Sequence, residues 1–272
     1  MPSSSVTPAF TPKSSDRAVE AAVELRGVSK RFYYYEHRTN SLREWFIRRI
    51  LRRPLNVRRA EFTLRNLDLR IGAGEAVALI GSNGSGKSTA LRLIAGIYVP
   101  SSGTIRTRGR LTAVIELGAG FHPELTGADN VALYAAVLGL RRHELAARYD
   151  EIVEFADTRD FMDTPLKYYS SGMEARLAFA VAVCLQPDVL LLDEVLAVGD
   201  QAFRDRCQAR LRAFHASGGT LILVSHEMDQ VRKLCTRAVW LERGTLRMDG
   251  DVEQVLTAYR ANTSLHRSRG AP

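Results

Sequence analysis

The chain has 272 residues, 46% hydrophobic and 25% charged, an ordinary globular balance with enough apolar residues for one large core or two small ones. Cys184, Cys207 and Cys235 are far apart and lack C-x-x-C spacing, which excludes a disulfide framework or a zinc site and fits a reducing compartment. Lys and Arg number 38 against 30 Asp and Glu, a net charge of +8 that favours an anionic partner such as nucleic acid or a membrane surface.

Residues 1–22 read as a disordered tail, because a Ser/Thr/Pro-rich stretch buries too little apolar surface to offset its ordering entropy. Met1 to Ser15 lacks the continuous apolar core of a secretory signal, and no stretch is apolar for long enough to span a bilayer. A cytoplasmic location is expected, with docking on a membrane protein left open. Val23 to Val28 alternates like an edge strand and leads into Phe32 and Tyr33-Tyr34-Tyr35, whose rings suit either base stacking or packing within the sheet. Residues 38–59 form a basic insertion with eight arginines against Glu44 alone. Within it, Leu42, Trp45, Phe46 and Ile50 recur at helical spacing from Ser41 to Leu51, before Pro54. Such a basic amphipathic helix suits a membrane surface, a partner helix or its own domain.

Phe62 to Ile71 reads as a second strand, Gly72-Ala73-Gly74 as a turn, and Glu75 to Ile80 as a short buried strand. Gly81-Ser82-Asn83-Gly84-Ser85-Gly86-Lys87-Ser88-Thr89 follows, matching G-x-x-x-x-G-K-[ST] ahead of the helical spacing of Leu91, Ile94 and Ala95. Strand, loop and helix in that order make a phosphate cradle. Backbone N–H groups curl around the anion, the helix N-terminus adds its dipole, Lys87 adds a point charge, and Ser88 can ligate magnesium.

Pro100 to Gly103 marks a turn, and Leu111 to Glu116 another strand. Residues from about 120 to 185 read as a largely helical insertion, broken near Asp163-Thr164-Pro165, with capping patterns at Thr126/Asp129 and Ser171/Glu174. Leu190 to Asp193, an apolar run ending in an acid, and Thr220 to Ser225, of the same kind, read as central parallel strands, joined by a helix over Arg204 to Ala216. Ala238 to Leu241 and Leu246 to Met248 form a hairpin around Arg243-Gly244. Val252 to Tyr259 reads as a closing helix, and 261–272 as a basic tail.

Asp193 and Glu194 stand at the end of an apolar strand, where an α/β sheet presents residues to a bound nucleotide. Asp193 is the candidate metal ligand, and Glu194 the candidate group that polarises an attacking water. His226 ends the next apolar strand at the same sheet edge, within reach of a terminal phosphate.

The phosphate loop, Tyr169-Ser170-Ser171-Gly172-Met173, Leu190-Leu191-Leu192-Asp193-Glu194, Val198-Gly199-Asp200 and Val224-Ser225-His226 occur in the order of an ABC transporter ATPase subunit. The resemblance covers residues 23–260. It implies an α/β P-loop fold with a parallel central sheet, an antiparallel β part and a helical subdomain, binding ATP with Mg2+. It also implies a head-to-tail dimer in which Lys87 and Ser88 of one copy face Ser170 and Gly172 of the other. Asp200 would belong to the loop that communicates across the dimer. Phe32, with Tyr34 as the alternative, would match the aromatic that stacks on adenine.

Two departures stand out. Tyr169, Ser171 and Met173 replace the usual Leu, first Gly and final polar residue of the signature, while Ser170 and Gly172 remain. Glu116 stands where a Gln near the metal is usual, since no Gln occurs between the phosphate loop and Gln186. With Glu116-Leu117-Gly118-Ala119-Gly120-Phe121-His122-Pro123 and Asp193-Glu194-Val195-Leu196-Ala197-Val198-Gly199-Asp200, these departures resemble the ATPases of lipid-linked polysaccharide, O-antigen and teichoic acid exporters. That resemblance implies a peripheral protein on the cytoplasmic face of the inner membrane, working with a polytopic permease and no nucleic acid. The chain is expected to end before any C-terminal carbohydrate-binding domain, leaving glycan recognition to other subunits. The competing reading is a soluble ABC-type ATPase acting on nucleic acid or ribosomes, encouraged by the positive charge. A single phosphate loop and the confinement of the excess charge to one amphipathic stretch count against it.

Overall fold

Strands that send alternate side chains into two packed layers account for most of the architecture. The computed structural model describes residues 20–35, 58–115, 117, 118, 120–194 and 199–269. Expectations for the tail up to residue 19, for the helix at 41–51 and for Glu116 fall outside them.

In chain order, β1 (Ala21–Tyr35) and β2 (Arg58–Gly72) are long, and β3 (Ala76–Ile80) leads through the glycine-rich loop into α1 (Lys87–Ile94). After α1 come β4 (Ser102–Thr107) and β5 (Leu111–Val114). The helical part holds α2 (Gly127–Val137), α3 (Arg142–Ala146), α4 (Tyr149–Ala156) and α5 (Ser171–Cys184). Next are β6 (Val189–Asp193), α6 (Gln201–Ala216), β7 (Thr220–Val224) and α7 (Met228–Leu234). The hairpin β8 (Arg237–Glu242) and β9 (Thr245–Asp251) and the helix α8 (Val252–Arg269) close the chain.

The larger sheet runs β5-β6-β7-β3-β8-β9, parallel except at the β8-β9 hairpin, and a smaller antiparallel sheet runs β2-β1-β4. Ala76, Ala78, Ile80, Leu190, Leu192, Leu221 and Leu223 pack on one side of the larger sheet with the helical part. Val77, Leu79, Leu191, Ile222 and Val224 pack on the other with α1 and the smaller sheet. From Leu177 to Cys184 every residue of α5 is buried, so this helix is enclosed rather than amphipathic. Cys184, Cys207 and Cys235 are buried free thiols, and burial pushes each up to about 12.

Four expectations need correction. β1 is the central strand of its sheet, not an edge; its alternation arises because one face is solvated, which a central antiparallel strand also allows. β4 starts within the expected turn, at Ser102, and runs on to Thr107, where no strand was expected; Ile105 is its one half-buried apolar residue, too few to make a pattern. The cap of α5 is Ser170, whose Oγ accepts from the Met173 N–H at 3.2 Å, one residue before the expected Ser171. α8 runs on to Arg269, so the stretch expected as a tail from 261 begins as helix.

Phe179 of α5, Phe155 of α4 and Phe203 of α6 form a triangle of rings with centroids 6.4, 6.2 and 5.7 Å apart, which ties the helical part to the helix that follows β6. Phe179→Ala should cost about 3–5 kcal/mol of unfolding free energy in urea denaturation. A cost below about 1 kcal/mol would show that the rings do not hold this junction.

Candidate functional site

Gly81 leaves β3 at φ 149°, and a Cβ there would collide with the Leu241 carbonyl and crowd Ser85 Oγ at 2.6 Å. Gly86 caps α1 at φ 105°, where a Cβ would meet Leu64 Cδ2 at 2.7 Å and the Thr63 oxygen at 2.8 Å. Both positions therefore combine a conformation that favours glycine with a lack of space. The loop between them brings Asn83, Gly84, Lys87 and Ser88 against Asp193 and Glu194 around a cleft of about 320 Å³. A larger cleft of about 490 Å³ lies at the opposite ends of β6 and β7, beside Val189 and Thr220, and contains none of these groups.

Lys87 is 7% exposed, and its Nζ donates to the carbonyls of Gly81 at 2.8 Å and Ser82 at 3.0 Å. Desolvation holds its ammonium below the usual lysine range, against the opposing pull of Glu194 and Asp193. Asp193 ends β6 and accepts from Ser88 Oγ at 3.3 Å. Desolvation raises its carboxyl above the ordinary aspartate value, more than the Ser88 hydroxyl lowers it. Glu194 takes a left-handed backbone, φ 55°, while its N–H donates to the Val224 carbonyl at 3.0 Å. Its Oε1 lies 3.5 Å from His226 Nδ1.

The cleft has the chemistry of a triphosphate and magnesium site. Among the described residues, the buried Ser85 Oγ has no hydrogen-bond partner, and the Lys87 ammonium donates to the neutral carbonyls of Gly81 and Ser82. Ser88 and Asp193 offer the hard oxygens that magnesium takes. Among the described residues, no group of three or more Asp, Glu, His or Cys is arranged to hold a metal ion by itself.

The structure thus brings together Lys87, Ser88, Asp193, Glu194 and His226. The other expected residues stand apart from this cleft. Ser170 caps α5, with Gly172 in its first turn. Asp200 caps α6, accepting the Phe203 N–H at 2.8 Å. Phe32 meets Tyr98 edge-on at 5.3 Å, with Lys30 Nζ 5.1 Å from its ring centre and bonded to the Val99 carbonyl. Tyr33 is exposed. One supporting pair escaped the sequence reading: Ser225 Oγ donates to Gln230 Oε1 at 2.9 Å and accepts the Glu227 N–H at 3.0 Å, clamping the turn that carries His226. Its signal is a glutamine facing inward beside Val231, five residues after a strand-end serine.

The family described as ABC transporter matches residues 64–197. The O-antigen export system ATP-binding protein RfbB of Klebsiella pneumoniae is 43% identical over 238 residues, 88% of this chain and 97% of that protein. The teichoic acids export ATP-binding protein TagH of Staphylococcus epidermidis is 35% identical over 243 residues, 89% of each chain. A dimeric ATP-binding cassette solved in a post-hydrolysis state with ADP and Pi shares the fold, with a TM-score of 0.67 at 22% identity over 85% of this chain and 98% of that one.

Gly86→Ala should abolish nucleotide binding at concentrations that saturate the parent in a fluorescence titration, since neither the Thr63 carbonyl nor the backbone can yield; unchanged affinity would refute the cradle. Asp193→Asn should raise the melting temperature of the nucleotide-free protein by about 2 °C at pH 7. At neutral pH Asp193 is ionised both folded and unfolded, so its desolvation cost stands in full. As pH falls through its raised folded value the folded chain takes up the proton first, and the gain from Asn should shrink in thermal scans toward the ordinary aspartate value.

Proposed function

The chain belongs to the ATPases of the ABC transporter family, and from that premise we propose that it powers export of a lipid-linked polysaccharide, of O-antigen or teichoic-acid type, across the cytoplasmic membrane. The carrying observation is the gathering of Lys87, Ser88, Asp193 and Glu194 on one cleft with His226 beside Glu194, in a chain matched over 97% of an O-antigen export ATP-binding protein. These relatives support export over the reading as an ATPase acting on nucleic acid or ribosomes. Among the described residues no helix is long and apolar enough to cross a membrane. The chain would therefore act peripherally on the cytoplasmic face, with a polytopic permease forming the path.

Residues 81–89 cradle the ATP phosphates, with the Lys87 ammonium exchanging its two carbonyl partners for phosphate oxygens. Ser88 and Asp193 hold magnesium, with Glu116 as a further ligand. Magnesium, when bound, neutralises charge that develops on the transferring phosphoryl oxygens. Glu194 orients the attacking water and accepts its proton, and its backbone bond to Val224 holds the residue at the strand edge. His226, 3.5 Å from that carboxylate, reaches the terminal phosphate. Phe32 stacks on the adenine.

Ser170 and Gly172 of a second copy complete the site, which gives ATP a higher affinity for the closed dimer than for separate copies. That difference drives closure, and hydrolysis reverses it. Asp200 lies in the loop that joins the two sites.

Glu194→Gln should lower kcat by about 100-fold or more while ATP still binds, and should give an ATP-dependent dimer in size-exclusion chromatography. Parental turnover would remove Glu194 from its role. In the host cell, deletion of the chain should leave lipid-linked glycan inside. The intact protein should restore export and Glu194→Gln should not; normal surface glycan in the deletion strain would overturn the export reading.

A further inference from the structure

Tyr169 departs from the usual signature, and its neighbours give that departure a physical purpose. The residue immediately precedes Ser170, the cap of α5. Its hydroxyl donates to the Phe161 carbonyl at 2.7 Å, and its ring meets the Phe161 ring edge-on with centroids 6.3 Å apart. Its N–H bonds the Leu166 carbonyl at 2.9 Å. Burial pushes the phenol above its usual range, so the hydroxyl stays a donor at neutral pH.

Space for that hydroxyl is made by Gly127, the first residue of α2. A Cβ there would collide with Tyr169 Oη. Gly127 lies outside the left-handed region, so its backbone does not need glycine, and helix interiors otherwise prefer alanine. What its missing side chain provides is room for the tyrosine oxygen.

The surrounding chain is held by a short antiparallel ladder between residues 123–127 and 164–167. Lys167 N–H donates to the Pro123 carbonyl and Leu166 N–H to the Leu125 carbonyl, both at 2.9 Å, and Gly127 N–H to Thr164 at 3.1 Å. The Lys167–Glu124 ion pair closes its outer end at 2.7 Å. The ladder stops before residue 169. Beyond it, the approach to Ser170 is fixed by the Tyr169 backbone bond and by the phenol.

We propose that Tyr169 is a positioning residue for the signature serine: its hydroxyl, seated over Gly127 and bonded to Phe161, sets the angle at which Ser170 enters α5 and faces the second copy. This rests on the reading that Ser170 and Gly172 complete a site in a second copy. An ordinary signature leucine has no oxygen to make such a bond, so here the geometry is set by a polar contact.

Tyr169→Phe removes only the oxygen. The Phe161 carbonyl keeps the Thr164 N–H at 2.8 Å, so no buried acceptor is orphaned and the fold should stand. In the Glu194→Gln background, the ATP-driven dimerisation constant should weaken about five-fold, as Ser170 loses the entry angle that the phenol sets. ATP affinity of the separated copies and the melting temperature should stay at the parental values, which a merely structural role would not allow. Gly127→Ala should weaken dimerisation similarly beside tyrosine and less beside phenylalanine, where only the milder approaches to the ring Cζ and the Met162 Cα remain.

Ser170→Ala separates the two layers of the inference and should weaken dimerisation about ten-fold. If it does so while Tyr169→Phe leaves dimerisation unchanged, the positioning role is overturned and the composite site stands. If Ser170→Ala has no effect, or the Glu194→Gln parent stays monomeric with ATP, the composite site fails and the positioning role fails with it.

Discussion

Three neighbouring strands with no charge along their interior leave only their ends to carry one. β6, β7 and β3 are apolar on both faces because one side packs on the helical part and the other on α1 and the smaller sheet. Their registers pair Val224 with Asp193 on one side and with Leu79 on the other. At a strand spacing of about 4.8 Å, the phosphate loop, Asp193-Glu194 and Ser225-His226 must emerge side by side. The site is thus a consequence of core packing; moving any strand by one residue would exchange the side chains of its two packed faces and shift its edge residues out of line with their neighbours.

That edge is under electrostatic tension before a nucleotide arrives. Lys87 and Asp193 are both desolvated enough to disfavour their charged forms, and the buried Ser85 hydroxyl lacks a partner among the described residues. The loop holds itself together with carbonyl contacts that phosphate oxygens can replace. A ligand supplying those partners relieves the polar mismatch and stabilises the folded chain through the same contacts. The left-handed backbone at Glu194 fits this pattern, as local strain kept in place by the Val224 bond.

The phosphate loop and the apolar strands were legible because their chemistry is local: glycine spacing and hydrophobic runs need no knowledge of distant neighbours. Elements defined by contacts across the chain were harder. β4 has one half-buried apolar residue and exists because β1 offers it a ladder. The choice between Ser170 and Ser171 as cap depends on a backbone angle that two adjacent serines conceal. Phe32 was legible as an aromatic of interest, but its packing with Tyr98 and Lys30 required the return of the chain after α1. The Ser225–Gln230 bond was hidden for a similar reason, since a polar residue in a short helix normally faces water.

The three buried thiols have a consequence for how this molecule can be observed. With each pushed up to about 12 and enclosed, almost no thiolate exists at neutral pH in the folded chain, and alkylating reagents have nothing to attack. Cys184 ends α5, Cys207 lies within α6 and Cys235 follows α7, so each becomes reactive only when its own part of the core opens. The wild-type chain therefore carries three internal clocks for local opening. A cysteine placed on the surface would answer a label against a silent background.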